Sequence, residues 1–190
     1  MPQLVLASSS PRRRDLLARI GVEPARIASP DIDESPLKGE LPRVYALRMA
    51  VEKARAVSCS EGEIVLAGDT TVAVGRRILQ QAVDADMQRG FLELLSGRRH
   101  HVLSAVCVID AEGSERTRIS NSIVRFKRLG SAEIDSYIAS GEGIGKAGGY
   151  AIQGRAEALV DWMAGSHTGV IGLPLYETRA LLIAAGYPLD

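Results

Sequence analysis

Residues 4–17 read Leu-Val-Leu-Ala-Ser-Ser-Ser-Pro-Arg-Arg-Arg-Asp-Leu-Leu, an apolar run, a serine turn and a helix start. The run 4–7 has the length and side chains of a buried strand. Pro11 suits a first helical position because its φ is already helical, and Ser10 stands where a capping hydroxyl is expected. Leu16, Leu17 and Ile20 then recur at helical spacing. The unpaired N–H groups at such a helix start carry the positive end of the helix dipole, and anions bind there. Arg12 and Arg13 add forked cations at the end where cations are disfavoured, which makes sense if an anion sits between them. The competing reading is a Ser-Pro helix start whose arginines are merely solvated.

Working outward, strand-like and helix-like runs alternate. A short strand is expected at 26–29, followed by the acidic turn 31–36 with Asp33 and Glu34. Residues 42–57 read as a helix with Val44, Leu47, Val51, Ala54 and Val57 as its apolar stripe. The apolar strand 63–70 ends in Gly68-Asp69-Thr70, a second run covers 71–74, and the turn Gly75-Arg76-Arg77 follows. A helix is expected at 84–95, strands at 102–109 and 116–127, and a helix at 131–139 capped by Ser131. A glycine-rich stretch covers 141–154, and a helix at 178–185 closes the chain. Helices interleaved with strands predict a three-layer α/β/α sandwich, and the successive strands 102–109 and 116–127 predict a mixed sheet. No repeat or linker divides the chain, so residues 1–190 read as one domain.

Bulk properties narrow the function. Lys plus Arg and Asp plus Glu number 23 each, so no global field draws the chain to nucleic acid or an anionic membrane, and phosphate recognition must be local. No nucleic-acid partner is expected. No run approaches the roughly 20 apolar residues of a membrane span, and arginines interrupt the N-terminal apolar stretch, which excludes a signal peptide there. A soluble, cytoplasmic protein is expected. Cys59 and Cys107 lie in separate apolar segments and read as reduced, buried thiols.

Two motif matches fail on context. Gly143, Gly145 and Gly148 satisfy G-x-G-x-x-G, but a helix precedes them and a strand-like run follows. Gly145-Lys146 lacks the Ser or Thr of a phosphate loop. His100 and His101 point to opposite faces of a strand and cannot share a metal, so no zinc site is expected. Trp162 reads as a packed residue. Asp69, at the expected end of an apolar strand, occupies the usual place of ligand sites in open α/β sheets; there a carboxylate binds metal, orients water or caps a turn. Taken alone, Asp33-Glu34 reads as a solvated loop, and Lys53 as a solvent-facing helical lysine.

Together these segments resemble the Maf family of nucleoside triphosphate pyrophosphatases. The matching residues are Leu6 to Arg13 with Leu16-Leu17, Asp33-Glu34, Glu52-Lys53-Ala54, Gly68-Asp69-Thr70 and Leu95-Ser96-Gly97-Arg98. Lys146 to Gly154 and Gly172-Leu173-Pro174 complete the set, in family order over nearly the whole chain. The resemblance implies an α/β/α fold like that of the inosine triphosphatases, a homodimer, and a divalent metal, Mg²⁺ or Mn²⁺. It implies cleavage between the α- and β-phosphates to a monophosphate and pyrophosphate, and a link to septum formation and cell-division arrest. Asp69, Lys53 and Glu34 become the catalytic candidates, with Asp69 the family's proton acceptor. Ser8, Ser10, Arg13 and Gln81 become phosphate-binding candidates, and Glu34 and Asp69 the metal ligands. An aspartate of ordinary pKa, about 3.9, is a weak base. Metal ligation or the orientation of a metal-bound water therefore suits Asp69 better than proton acceptance.

Substrate choice rests on Arg12, Thr70 and Gln153. Thymine and uracil present an N–H donor beside a carbonyl acceptor, and a glutamine amide answers both. Guanine presents neighbouring donors, which a carboxylate answers better. The family branch acting on 7-methyl-GTP has a tryptophan where Arg12 stands, suited to a cationic base that Arg12 would repel. The chain therefore resembles the dTTP/UTP branch. One departure stands out: Gln80-Gln81-Ala82 occupies the place of the family's Gly-Lys-Pro. Gln81 keeps reach and a donor but lacks the charge of the expected phosphate-binding lysine, and Arg76 and Arg77 are the nearby cations that would compensate. The alternatives are a purine-directed pyrophosphatase and a nucleotide-binding regulator with little hydrolysis, the latter favoured by Gln81.

Overall fold

The computed structural model describes residues 2–189. Strand β1 (Gln3–Ala7) leads through the serine turn into α1 (Pro11–Ala18), with Ser10 at the capping position. The Ser10 hydroxyl makes no capping bond, so Pro11 and the turn itself start this helix. There follow β2 (Arg26–Ala28), α2 (Pro42–Arg55), β3 (Glu63–Val74), β4 (Arg77–Leu79) and α3 (Ala85–Leu95). The second half runs β5 (Arg99–Ile109), β6 (Glu115–Phe126), α4 (Ser131–Ala139), β7 (Val160–Ala164), α5 (His167–Ile171) and α6 (Leu175–Ala184).

The strands form one seven-stranded sheet in the order β2-β1-β3-β5-β6-β7, with β4 paired to β3. β2, β1 and β3 run parallel, and the remaining pairs are antiparallel, giving the mixed sheet expected. Side-chain size differs between its faces. α2 packs Ala46, Ala50 and Ala54 against Val5, Ala7, Val65, Ala67, Ala105 and Cys107, small residues that bring helix and sheet close. The opposite face carries Leu4, Leu6, Ile64, Leu66, Val106 and Phe126 beneath α1, α3, α4 and α6. A leucine-to-alanine change at a fully buried site such as Leu66 costs about 2–5 kcal/mol.

Several expectations are corrected. Residues 63–74 form one strand, so Asp69 lies inside β3 rather than at its end. The buried face of α2 carries Tyr45, Ala46, Met49, Ala50, Lys53 and Ala54, while Val44 is exposed. Gly130 precedes α4 as its cap, with its N–H donating to the Glu133 carboxylate at 2.9 Å, and Ser131 is the first helical residue. Cys59 is exposed, whereas Cys107 is buried and its thiol is pushed up to about 12. Trp162 sits half-exposed on β7 with the Arg99 guanidinium 4.6 Å over its ring. β7 and α5 carry no clear signal in the sequence, because one is short and mixed in polarity and the other is a single turn or so. Among the described residues, no helix is long and apolar enough to cross a membrane.

Candidate active site

Register creates the site. β1 pairs with β3 only as far as Ala7 opposite Ala67, and β4 joins β3 only from Val72 onward. Residues 68–71 of β3 are thus paired on the β5 side and open on the other, so β3 crosses a gap in the sheet. The cleft at this gap is lined by Ser8, Ser10, Arg12, Arg13, Glu34, Lys53, Asp69, Thr70, Gln81 and Gln153. The catalytic, phosphate-binding, metal and specificity candidates named from the sequence therefore lie on one surface.

Strand alternation divides the chemistry. Asp69 points to the α2 face with Thr71, and Thr70 points to the opposite face. The Asp69 carboxylate accepts from Lys53 Nζ at 2.8 Å and from Thr71 Oγ1 at 2.8 Å. Lys53 Nζ also donates to Glu34 Oε2 at 2.7 Å, so two carboxylates converge on one buried ammonium. Lys53 reaches them because α2 turns it toward the sheet, contrary to the solvent-facing reading. Glu34 is held from the same helix: Tyr45 donates to its backbone carbonyl at 2.8 Å, and Arg48 Nη2 donates to the Ser35 carbonyl at 3.1 Å. Tyr45 lies two helical turns before Lys53 on one face, a spacing that would have found it had that face been identified. Burial pushes the Tyr45 phenol above its ordinary pKa, and the charges of Asp69 and Glu34 push the same way, so it stays a hydrogen-bond donor.

The opposite wall is cationic. Ser8 Oγ accepts from the Ser10 N–H at 3.1 Å and from Arg13 Nη1 at 2.9 Å, and Arg13 Nε donates to the Gly172 carbonyl at 2.9 Å. Arg13 thus ties the serine turn to the α5–α6 corner. Desolvation lowers its pKa, opposed by the charges of Asp69 and Glu34. Gly68 keeps this packing open: a Cβ there would sit 3.2 Å from the Ala105 carbonyl oxygen and 3.6 Å from Arg13 Nε. The glycine-rich segment closes the remaining side and brings Lys146, Tyr150 and Gln153 to the cleft. Arg76 and Arg77 are exposed on the β3–β4 hairpin and do not line it, so they do not replace the missing lysine.

The donor set fits a hard divalent cation. Glu34 and Asp69 offer carboxylate oxygens, and such ions commonly take one or two carboxylates together with substrate phosphates and water.

Comparison with known proteins adds the following. A family model described as Maf-like protein matches residues 3–185. A relative from Sphingopyxis alaskensis, named dTTP/UTP pyrophosphatase, is 66% identical over 189 residues and 100% of both chains. Another of that name, from Novosphingobium aromaticivorans, is 61% identical over 97% of this chain and 92% of its own. A solved structure of a HAM1 protein from Coxiella burnetii shares the fold at TM-score 0.51 and 18% identity, covering 97% of this chain and 100% of that one.

Proposed function

The chain belongs to the Maf-like protein family, and on that premise we propose that it is a nucleoside triphosphate pyrophosphatase acting on dTTP and UTP. Relatives that are 66% and 61% identical carry that name. The observation that carries the reading is the gap at residues 68–71, where a wall with Ser8, Arg12 and Arg13 meets the Glu34–Lys53–Asp69 cluster.

In this reading the triphosphate lies against the serine turn. The N–H groups at the start of α1, the Ser8 and Ser10 hydroxyls and the arginines offset its charge. A water attacks the α-phosphorus, forming a new P–O bond while the bond to the α–β bridging oxygen breaks, and pyrophosphate leaves with that electron pair. Asp69 orients the attacking water, whose proton is released to solvent; Lys53 holds the Asp69 and Glu34 carboxylates in place and moderates their repulsion. Glu34 and Asp69 would hold Mg²⁺ or Mn²⁺, which when bound lowers the pKa of its water and neutralises phosphate charge. Gln153 reads the pyrimidine edge, with Arg12 and Thr70 bounding its pocket. A homodimer is part of the same proposal, as is a cytoplasmic location.

The test is a nucleotide panel. Purified protein with Mg²⁺ or Mn²⁺ is incubated with dTTP, UTP, dCTP, GTP and ITP, and monophosphate and pyrophosphate are quantified. Equal yields of both products, fastest from dTTP and UTP, are expected. Fastest turnover of GTP or ITP would favour the purine reading. Gln81 supports a second reading, a nucleotide-binding regulator, which predicts tight dTTP binding without product.

A further inference from the structure

Glu34 reaches the active-site cluster from a segment with little support of its own. Residues 29–41, between β2 and α2, contain no helix or strand, and residues 33–35 and 37–39 are exposed, so burial does not fix them. Among the described residues, the one backbone-to-backbone bond within 31–40 runs from the Glu40 N–H to the Leu37 carbonyl, at 3.0 Å. The Glu34 side chain is itself 44% exposed. What holds the segment is α2. Arg48 grips Glu40 with both arms of its guanidinium, Nε 2.7 Å from Oε1 and Nη2 2.7 Å from Oε2. The same Nη2 donates to the Ser35 carbonyl at 3.1 Å, one residue beyond Glu34. Nη1 donates to Glu52 at 3.2 Å, one turn along α2, and Cζ lies 5.5 Å from the centre of the Tyr45 ring, so the guanidinium is aimed from its own helix. Glu40 Oε2 also accepts from the Leu37 N–H at 2.9 Å. One guanidinium thus closes the loop between Ser35 and Glu40. The Glu40 side chain is only 5% exposed and that of Arg48 20%, which sets this forked pair apart from ordinary surface ion pairs.

We infer that Arg48 and Glu40 are positioning residues for Glu34, their forked pair strapping the loop to α2 so that the Glu34 carboxylate stays beside Lys53 and ready for a divalent cation. The inference rests on the pyrophosphatase reading. Neither residue lines the cleft, so both act through Glu34 and not on the substrate. Removing the outer support of a metal-binding carboxylate costs about 10–100-fold in metal affinity or activity. A lysine at position 48 keeps the charge but cannot span both Glu40 oxygens in one plane, so it is a poor substitute.

Mn²⁺ alone is the probe, titrated into the full-length protein and read as loss of the free-ion paramagnetic resonance signal, with dTTP turnover followed in parallel. Arg48→Lys and Glu40→Gln are each expected to weaken Mn²⁺ binding about tenfold and to raise the Mn²⁺ needed for half-maximal turnover by the same factor. The KM for dTTP at saturating Mn²⁺ is expected to stay near that of the wild type. A Glu34→Gln background separates positioning from general support. There Arg48→Lys is expected to change the residual turnover little, because the group it positions is gone. An equal fold loss in both backgrounds assigns Arg48 to folding alone and overturns the inference. Unchanged Mn²⁺ affinity in Arg48→Lys and Glu40→Gln overturns it as well. If either variant lowers the thermal midpoint, the same cycle, measured well below that midpoint, decides the question. A wild type that neither binds Mn²⁺ nor hydrolyses dTTP removes the pyrophosphatase reading itself, and the inference with it.

Discussion

In the proposed reaction Asp69 positions the attacking water, and its two oxygens each accept a hydrogen bond, from Lys53 and from Thr71. Asp69→Asn preserves shape and the hydroxyl contact but removes the charge. It should lower kcat by about 10²-fold or more, the scale of losing the group that positions the attacking water, while the far-ultraviolet spectrum stays native. A kcat within a factor of three of wild type would remove Asp69 from the reaction. Gln153 tests specificity instead. Its exchange for glutamate should shift the kcat/KM ratio of dTTP to GTP toward GTP by about tenfold or more, because a carboxylate accepts from neighbouring donors but offers none. An unchanged ratio would show that Gln153 does not read the base. The candidate residues were legible in the sequence through residue chemistry and family resemblance. Their partners were not. Lys53 in isolation looks like a solvated lysine and Tyr45 like any helical tyrosine, because burial is not a property of one residue.

At the scale of elements, α2 and the glycine-rich segment do the positioning. The expected stripe of α2 follows its valines, yet the buried face is built of Ala46, Ala50 and Ala54 around Lys53. Alanines add little to a hydrophobicity pattern, but they let the helix approach Ala67 and Ala105, which brings the lysine within reach of Asp69. In sequence the long β3 looks like two runs because Gly68-Asp69-Thr70 resembles a turn; pairing with β5 throughout 65–73 keeps it extended. In the glycine-rich segment, Gly148 has φ +69° and a Cβ there would lie 2.8 Å from Val72 Cγ1. Gly141 has nearly the same φ, +70°, with nothing within 4 Å. Gly141→Ala should therefore cost about 1 kcal/mol from backbone strain alone, and Gly148→Ala about 2–4 kcal/mol, with weaker nucleotide binding. Equal losses in urea denaturation would show that the contact with Val72 relaxes freely.

At the scale of the whole molecule, His100 makes stability depend on pH. It is buried on β5, with Nε2 2.8 Å from the Tyr150 hydroxyl and its ring edge-on to Phe126 and Tyr150. Burial lowers its pKa from 6.5 to about 4, with a small push from His101. The unfolded chain therefore takes up this proton first, so the neutral-pH stability is present above about 6.5 and is lost as pH falls toward 4. From pH 7.5 to 5 the loss attributable to His100 is about 2 kcal/mol, measurable as a urea unfolding free energy. His100→Gln should be less stable at neutral pH yet show a flatter pH dependence; an identical slope would assign the effect to other groups. The sequence alone determined the α/β order, the mixed sheet, the serine turn that opens α1 and the list of candidate residues, because these are written in local periodicity and side-chain chemistry. The tertiary structure decided which face of α2 turns inward, how Lys53 joins Glu34 to Asp69, and that Arg76 and Arg77 do not line the cleft with Gln81. Those outcomes depend on where β1 stops against β3 and which strands neighbour each other, and residues so far apart in the chain carry no local record of that register.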